Sequence, residues 1–178
     1  KRQAEYALLL TKKKSTSKRL ARSSAEMKTT LKNFLKLPMK YYSFNEYLKN
    51  TFNQKIYKIS LNAEFTCPNR DGKIVTCGCI FCSKGGSGDF AESPSLSITK
   101  QIEQGKKRVE KKIKNGKYIA YFQAFTNTYA PIETLREKYF EAVNHKDIVA
   151  LSIATRPDCL PDDVIALLDE INKIKHVF

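Results

Sequence analysis

From about Tyr41 onwards, hydrophobic positions alternate between the period of strands and that of amphipathic helices. Four segments have the apolar pattern of strands: part of 56–65, then 118–122, 148–154, and the beginning of a further strand at 174–178. Four segments have the helical period: Phe44–Phe52, Ile98 to a stop signal at Asn115-Gly116, Pro131 to Val143, and Pro161 to Ile171. A long irregular stretch, Thr66 to about Ser97, separates the first strand from the next helix.

This order of elements predicts an α/β protein with a parallel sheet, because nearly wholly apolar strands that alternate with helices are typical of that class. Right-handed crossovers leave two arrangements, a (β/α) barrel and a doubly wound sheet. In both, the loops at the carboxyl ends of the strands lie on one rim, so we expect the chemistry on loops 66–97, 123–131 and 155–160. The strand that begins at 174–178 predicts that the chain is a fragment.

Charge divides the chain into two parts. Of the net charge of +14, most belongs to residues 1–40, which hold 12 Lys/Arg and 2 Asp/Glu. The basic residues at 12–22 could bind the phosphate backbone of RNA. However, this segment lacks the interleaved aromatic residues on which nucleic-acid bases stack. We therefore interpret 1–40 as a disordered basic leader and 41–178 as the folded domain. No apolar run approaches the roughly 20 residues of a membrane span, so we expect a cytoplasmic protein without a membrane partner.

Four of the five cysteines lie between Cys67 and Cys82, with nine, one and two residues between successive members. A disulfide framework is typical of small secreted chains, whereas this Lys-rich chain favours metal or redox chemistry. Structural zinc is one interpretation, since zinc closes its shell with four ligands. However, zinc sites usually use two pairs of ligands, and here three cysteines are grouped and one is apart. Iron–sulfur ligation is a second interpretation, and thiols that bind no metal are a third.

Several segments carry a more specific resemblance. Cys79-Ile80-Phe81-Cys82 resembles the end of the cysteine motif of the radical S-adenosylmethionine (SAM) superfamily, and it follows the first strand as it does there. An ordered set of segments is similar to the elongator-like class of that superfamily, in its YhcC/YtqA-type bacterial group: Tyr41-Tyr42-Ser43-Phe44, Lys58-Ile59-Ser60-Leu61, Thr66-Cys67-Pro68-Asn69-Arg70-Asp71-Gly72, Cys79-Ile80-Phe81-Cys82, Tyr121-Phe122-Gln123-Ala124-Phe125-Thr126-Asn127-Thr128-Tyr129 and Thr155-Arg156-Pro157-Asp158. These segments extend over nearly everything after Met39.

The resemblance implies a partial (β/α)6 barrel, truncated here after about three β/α units. It implies a [4Fe-4S] cluster on Cys67, Cys79 and Cys82, with the fourth iron open to S-adenosyl-L-methionine. Cys77 departs from the group, which usually has a small residue there, so we predict that Cys77 is not a ligand. The implied reaction is reductive cleavage of SAM to a 5′-deoxyadenosyl radical, with a flavodoxin- or ferredoxin-type protein as electron donor.

Other residues take roles from the same resemblance. Phe81 is expected beside the adenine of SAM. Gln123, Thr126 and Asn127 are expected near its methionine part, although Asn127 has the alternative role of capping the turn before the next helix. Arg156 is expected to face SAM or substrate, or else to form a local pair with Asp158.

Kinship with the elongator subunit and the basic leader favour tRNA as the substrate. The alternative function is a zinc-stabilised nucleic-acid-binding module without catalysis.

Overall fold

A computed structural model of the chain describes residues 41–110, 112–113 and 116–178. Phe44–Phe178 form one unit, and Lys1–Ser43 form another of which only 41–43 are described. The leader predicted at 1–40 therefore lies outside the described residues.

The described chain contains four α-helices and four strands in the predicted order. The helices are α1 (Phe44–Phe52), α2 (Ile98–Val109), α3 (Ile132–Val143) and α4 (Asp162–Asn172), and the strands are β1 (Tyr57–Leu61), β2 (Tyr118–Phe122), β3 (Ile148–Ile153) and β4 (His176–Val177). A 3-10 turn, Pro157–Cys159, follows β3. The bounds agree with the apolar periodicity to within a few residues everywhere except at the end of α2.

All four strands are parallel and lie in the order β1-β2-β3-β4. The α/β class with a parallel sheet is therefore confirmed. Helices α2, α3 and α4 share one core with one face of the sheet, built around Leu61, Phe122 and Leu151. On the opposite face, Leu48 of α1 packs with Ile119 and forms a smaller core near the amino ends of the strands.

The end of α2 differs from the prediction. The helical stripe indicated a helix that continued through Ile113 to a stop at Asn115-Gly116, but α2 ends at Val109. Ile113 still packs against the core, after a turn in which its N–H donates to Val109 O at 3.2 Å. A Cβ on Gly116 would lie 2.8 Å from Ile113 Cδ1, so the chain folds tightly over Ile113 before it enters β2. The prediction was wrong because the apolar position at 113 reflects this tertiary packing and not a further helical turn.

A buried glutamine fixes the beginning of the cysteine loop. Gln101 of α2 is fully buried, and its Oε1 accepts a hydrogen bond from the N–H of Asn62 at 2.9 Å. Its Nε2 donates to Asn62 O at 2.8 Å and to Leu96 O at 2.9 Å. The two ends of the irregular segment are thereby held together, because one side chain satisfies backbone groups from both.

No helix among the described residues has the length and apolar content to cross a membrane.

Candidate functional site

A cavity of about 300 Å³ opens at the carboxyl ends of β1, β2 and β3. Its walls come from the three loops that the sequence placed on one rim. The lining residues are Cys67, Asn69, Arg70, Gly78, Cys79, Phe81, Cys82, Gly86, Ser87, Tyr121, Gln123, Phe125, Thr126, Ala154, Thr155 and Arg156. Hydrogen bonds of the backbone join the loops: Thr126 N–H donates to Thr66 O at 3.2 Å, and Asn127 N–H donates to Ala154 O at 3.1 Å.

The three predicted ligands line this one cavity, and the fourth clustered cysteine does not. Cys67, Cys79 and Cys82 are half-buried free thiols, whereas Cys77 is exposed. A tight turn brings two of them together, since Cys82 N–H donates to Cys79 O at 3.0 Å. Gly78, between Cys77 and Cys79, has a φ of +77°, in the left-handed region that favours glycine. The assignment of Cys77 as a non-ligand stays a prediction.

Each of these three sulfurs has a polar neighbour. Asn69 Nδ2 donates to Cys79 Sγ at 3.0 Å, and Ser87 Oγ lies 3.7 Å from Cys82 Sγ. Burial acts to raise the pKa of Cys67, but hydrogen bonds from the Thr126 side chain, the Asn69 backbone and Arg156, together with the charge of Arg156, lower it below its usual value. The site therefore stabilises negative charge on sulfur, which is the form that binds metals.

The spacing of the sulfurs bears on which metal group the residues fit. Among the described residues, no three cysteine sulfurs lie within 4.8 Å of one another. A single tetrahedral zinc with bonds of about 2.3 Å needs its sulfurs roughly 3.8 Å apart. An iron–sulfur cluster binds each thiolate at a separate iron and so needs a more open arrangement. Soft thiolate donors suit either group, and the described sulfurs lie farther apart than one zinc ion needs.

Four of the five predicted SAM-binding residues lie at the cavity. Phe81 is 82% exposed at its mouth. Gln123 Nε2 donates to Ser87 O at 2.7 Å, and Thr126 is almost fully buried beside Cys67. Arg156 lines the cavity and forms the predicted local pair, since its Nε and Nη2 donate to the Asp158 carboxylate at 2.9 and 2.7 Å. Its contact with SAM or substrate stays a prediction.

Asn127 lies apart from the cavity. It is fully buried, and its Nδ2 donates to Phe122 O at 3.0 Å and to Ala154 O at 2.9 Å. Its own carbonyl accepts a hydrogen bond from the Tyr139 hydroxyl. These contacts connect the carboxyl ends of β2 and β3. Asn127 therefore has a structural role, but not the predicted one, because α3 has no side-chain cap.

Some lining residues had no predicted role. Asn69 and Arg70 lie two and three residues after Cys67, the first predicted ligand. This closeness in sequence is a signal that could have identified them. Arg70 donates to Ser83 O and to Lys84 O, the latter at 3.2 Å, and its guanidinium lies 5.3 Å over the ring of Phe125. Arg70 therefore connects the segment after Cys67 with the segment after Cys82 and with the loop after β2.

A larger cavity, of about 760 Å³, lies beside this one and is lined in part by Cys159, Asp158 and Pro161. Cys159 is only 7% exposed. Burial and the nearby charge of Asp158 raise its pKa. This cavity contains none of the three predicted ligands.

A second cluster of possible metal ligands lies near the amino ends of β2 and β3. Oxygen or nitrogen atoms of Glu103, His145 and Asp147 lie within 4.8 Å of one another. However, Lys106 Nζ lies 2.9 Å from Glu103 Oε1 and 2.6 Å from Asp147 Oδ2, so an ammonium group already takes the place of a cation. His145 Nδ1 also accepts the N–H of Asp147 at 3.1 Å. We interpret this cluster as a structural ion-pair group.

Comparison with known proteins finds three relatives named without an assigned activity. The chain is 51% identical over 139 residues to "Uncharacterized protein YtqA" of Bacillus subtilis (strain 168), a match that includes 78% of this chain and 43% of that protein. It is 42% identical over 123 residues to "Protein YhcC" of Escherichia coli (strain K12), which includes 69% of this chain and 38% of that protein. It is 37% identical over 132 residues to "Uncharacterized protein MJ0486" of Methanocaldococcus jannaschii, which includes 73% of this chain and 39% of that protein.

The chain thus spans about two fifths of the length of the curated relatives it matches. No protein-family model matches it. No solved structure matches it.

Proposed function

We propose that the chain is the amino-terminal part of a radical SAM iron–sulfur protein. In this proposal Cys67, Cys79 and Cys82 hold a [4Fe-4S] cluster, and the cavity beside them receives SAM. The observation that carries the proposal is the separation of the four clustered cysteines. Three of them line one cavity at the carboxyl rim of a parallel sheet, while Cys77 is exposed outside it. Three thiolates leave one iron of such a cluster without a protein ligand.

The proposal includes a partial barrel. The strand order is sequential, and the three helices that connect parallel strands, α2, α3 and α4, all lie on one face, while α1 lies on the other. This supports a barrel sector over a doubly wound sheet, whose connecting helices lie on both faces and whose strand order reverses. The relatives are more than twice as long as their matched regions, so we propose that the remaining strands belong to the part of the protein that follows.

The residues around the cysteines have the chemistry that SAM requires. When bound, the cluster supplies the single electron that cleaves the sulfonium of SAM to a 5′-deoxyadenosyl radical. Arg156 offers a guanidinium for the carboxylate of SAM, and the exposed ring of Phe81 offers an apolar surface for adenine. Gln123 and Thr126 offer polar groups at the cavity wall. Together these residues orient the ligand and exclude water.

The wider setting is also part of the proposal. We propose a cytoplasmic protein that receives electrons from a flavodoxin- or ferredoxin-type donor. We propose tRNA as the first substrate to test, because residues 1–40 are strongly basic.

Anaerobic reconstitution of the chain with iron and sulfide tests the proposal. We expect a brown protein with absorption near roughly 400 nm, and about four irons and four sulfides per chain. Cys67→Ala, Cys79→Ala and Cys82→Ala should each lose most of the iron, while Cys77→Ala should keep it. A colourless protein with one tightly held zinc would instead support the zinc-stabilised binding module. A longer protein that contains this chain, given SAM and dithionite, should release 5′-deoxyadenosine.

A further inference from the structure

One residue links two of the three proposed ligands. The side-chain amide of Asn69 donates from Nδ2 to Cys79 Sγ at 3.0 Å, and Asn69 lies within the turn that begins at Cys67. The polarity of its backbone N–H also acts to lower the pKa of Cys67. These two cysteines lie on different arms of the loop, so Asn69 connects the arms beside the sulfur atoms.

The backbone around Asn69 is fixed on both sides. Arg70 N–H and Asp71 N–H donate to Cys67 O at 2.8 and 3.1 Å, which forms a turn after the first ligand. Asn69 O accepts the N–H of Gly78 at 2.8 Å, one residue before the second ligand. The amide of Asn69 is therefore held at a set distance from Cys79 by the backbone and not only by its own side-chain contact.

The hydrogen bond to Cys79 Sγ sets the orientation of the Asn69 side-chain amide. Asn69 Oδ1 is buried and has no hydrogen-bond partner among the described residues. The contact with Cys79 is also the one hydrogen bond of this side chain in the described part of the chain. A buried acceptor without a partner is costly, so the side chain is oriented for its donor and not for its oxygen. The neighbour of Cys82, the Ser87 hydroxyl at 3.7 Å, is a much weaker contact.

We propose that Asn69 is a positioning residue that holds Cys67 and Cys79 in ligand orientation and raises the reduction potential of the cluster through its N–H···S bond to Cys79. This inference rests on the proposed function. An N–H donor stabilises the reduced cluster more than the oxidised one, because reduction adds negative charge that is shared with the sulfurs. Removal of the donor therefore makes the cluster harder to reduce.

Asn69→Leu tests the inference, since leucine has a similar size and no donor. Asn144→Leu is the matched control, because Asn144 is exposed near the end of α3 and far from the cysteines in sequence. Both proteins are reconstituted anaerobically and titrated with a reductant, and the reduced fraction is followed by absorbance and electron paramagnetic resonance. We expect the equilibrium constant for one-electron reduction to fall roughly tenfold in Asn69→Leu, which corresponds to about 59 mV more negative. Asn144→Leu should match the wild type.

Asn69→Asp gives a second, graded readout. The aspartate has the same shape, but as a carboxylate it cannot donate and adds a negative charge. We expect a potential lower than that of Asn69→Leu, or a larger loss of iron, because the new charge repels the thiolates.

A third readout needs no cluster. In the metal-free chain, the rate at which iodoacetamide alkylates Cys79 should change several-fold in Asn69→Leu, because Cys79 Sγ loses the hydrogen bond that holds it in place. If Asn69→Leu folds but does not retain iron, the alkylation rate of Cys79 tests the inference in place of the potential. A rate equal to that of the wild type would then overturn the inference.

The outcomes separate the two proposals. If the wild type takes up a cluster and Asn69→Leu has the same potential and iron content, the inference on Asn69 is wrong and the proposed function stands. If the wild type takes up no cluster under conditions that load a known iron–sulfur protein, both are wrong.

Discussion

The backbone of Gly86 lies directly against the ring of Phe125. A Cβ on Gly86 would lie 2.4 Å from Phe125 Cδ1, and Phe125 N–H donates to Gly86 O at 2.9 Å. The segment after Cys82 is therefore docked onto the loop after β2 with no space for a side chain. Both residues line the cavity, so this contact sets the distance between two of its walls.

Gly86→Ala should weaken this contact. Gly86 has a φ of +61°, which L side chains rarely adopt, and the new methyl group would overlap the ring. We expect the free energy of unfolding to fall by about 2 to 4 kcal/mol, from backbone strain and overpacking together, as measured by urea denaturation. Gly85→Ala is the control, because its Cβ would meet only two side-chain oxygens, Asp89 Oδ1 at 3.1 Å and Ser83 Oγ at 3.8 Å. A loss equal to that of Gly86→Ala would contradict the docking argument.

Asn127→Ala should destabilise the rim of the sheet. The amide of Asn127 donates to two backbone carbonyls, Phe122 O and Ala154 O, in a fully buried position. Its removal leaves both carbonyls without this donor, so we expect a loss of about 2 to 4 kcal/mol in the free energy of unfolding. Urea denaturation of the metal-free chain measures the effect, with the exposed Asn144→Ala as control. If stability is unchanged while the dissociation constant of SAM rises, the resemblance-based role of Asn127 is the better interpretation.

The stability of the chain should fall in acid through Asp147. Hydrogen bonding to Lys106 lowers the pKa of Asp147, against the effect of burial, and Lys117 lowers it further. A carboxylate whose pKa is lower in the folded state contributes stability above its unfolded pKa of about 3.9, and this contribution is lost as the pH falls through the folded value. Solvent screening limits the contribution to about 1 kcal/mol.

Asp147→Asn is the test of this pH dependence. The variant should lose less unfolding free energy than the wild type between pH 7 and pH 3 in the metal-free chain, as measured by urea denaturation. Asp169→Asn, which removes an exposed pair with Lys173, is the control. An identical acid loss in the wild type and Asp147→Asn would show that other carboxylates cause it.

The cysteines should differ in their rates of alkylation. Cys77 is exposed and should react first with iodoacetamide in the metal-free chain. Cys159 should react last, because it is buried and because burial and the charge of Asp158 raise its pKa, which lowers its thiolate fraction. Mass spectrometry of quenched samples measures the order. In urea the rates should become similar, and a persistent difference there would point to local sequence effects instead of burial.

The sequence alone determined the helices and strands, because the spacing of apolar residues in each element shows which of its faces is buried. β2 and β3 were predicted nearly residue for residue, since a strand buried on both faces is apolar throughout. The cysteine spacing likewise favoured a metal group, whereas the exclusion of Cys77 from the ligands came from the family resemblance, and both stay predictions. Where a local pattern had a tertiary cause, as at Ile113, the prediction of the end of α2 was wrong.

Only the tertiary structure decided which polar residues face the cavity. Thr126 and Asn127 are adjacent after the same strand, yet Thr126 lies beside Cys67 while Asn127 is buried between the strand ends. The donor of Asn69 to Cys79 and the contact of Gln123 with Ser87, 36 residues apart, depend on how separate loops dock. Sequence periodicity contains no information on such contacts, because they are fixed by packing and hydrogen bonding between loops and not by the repeat of any single element.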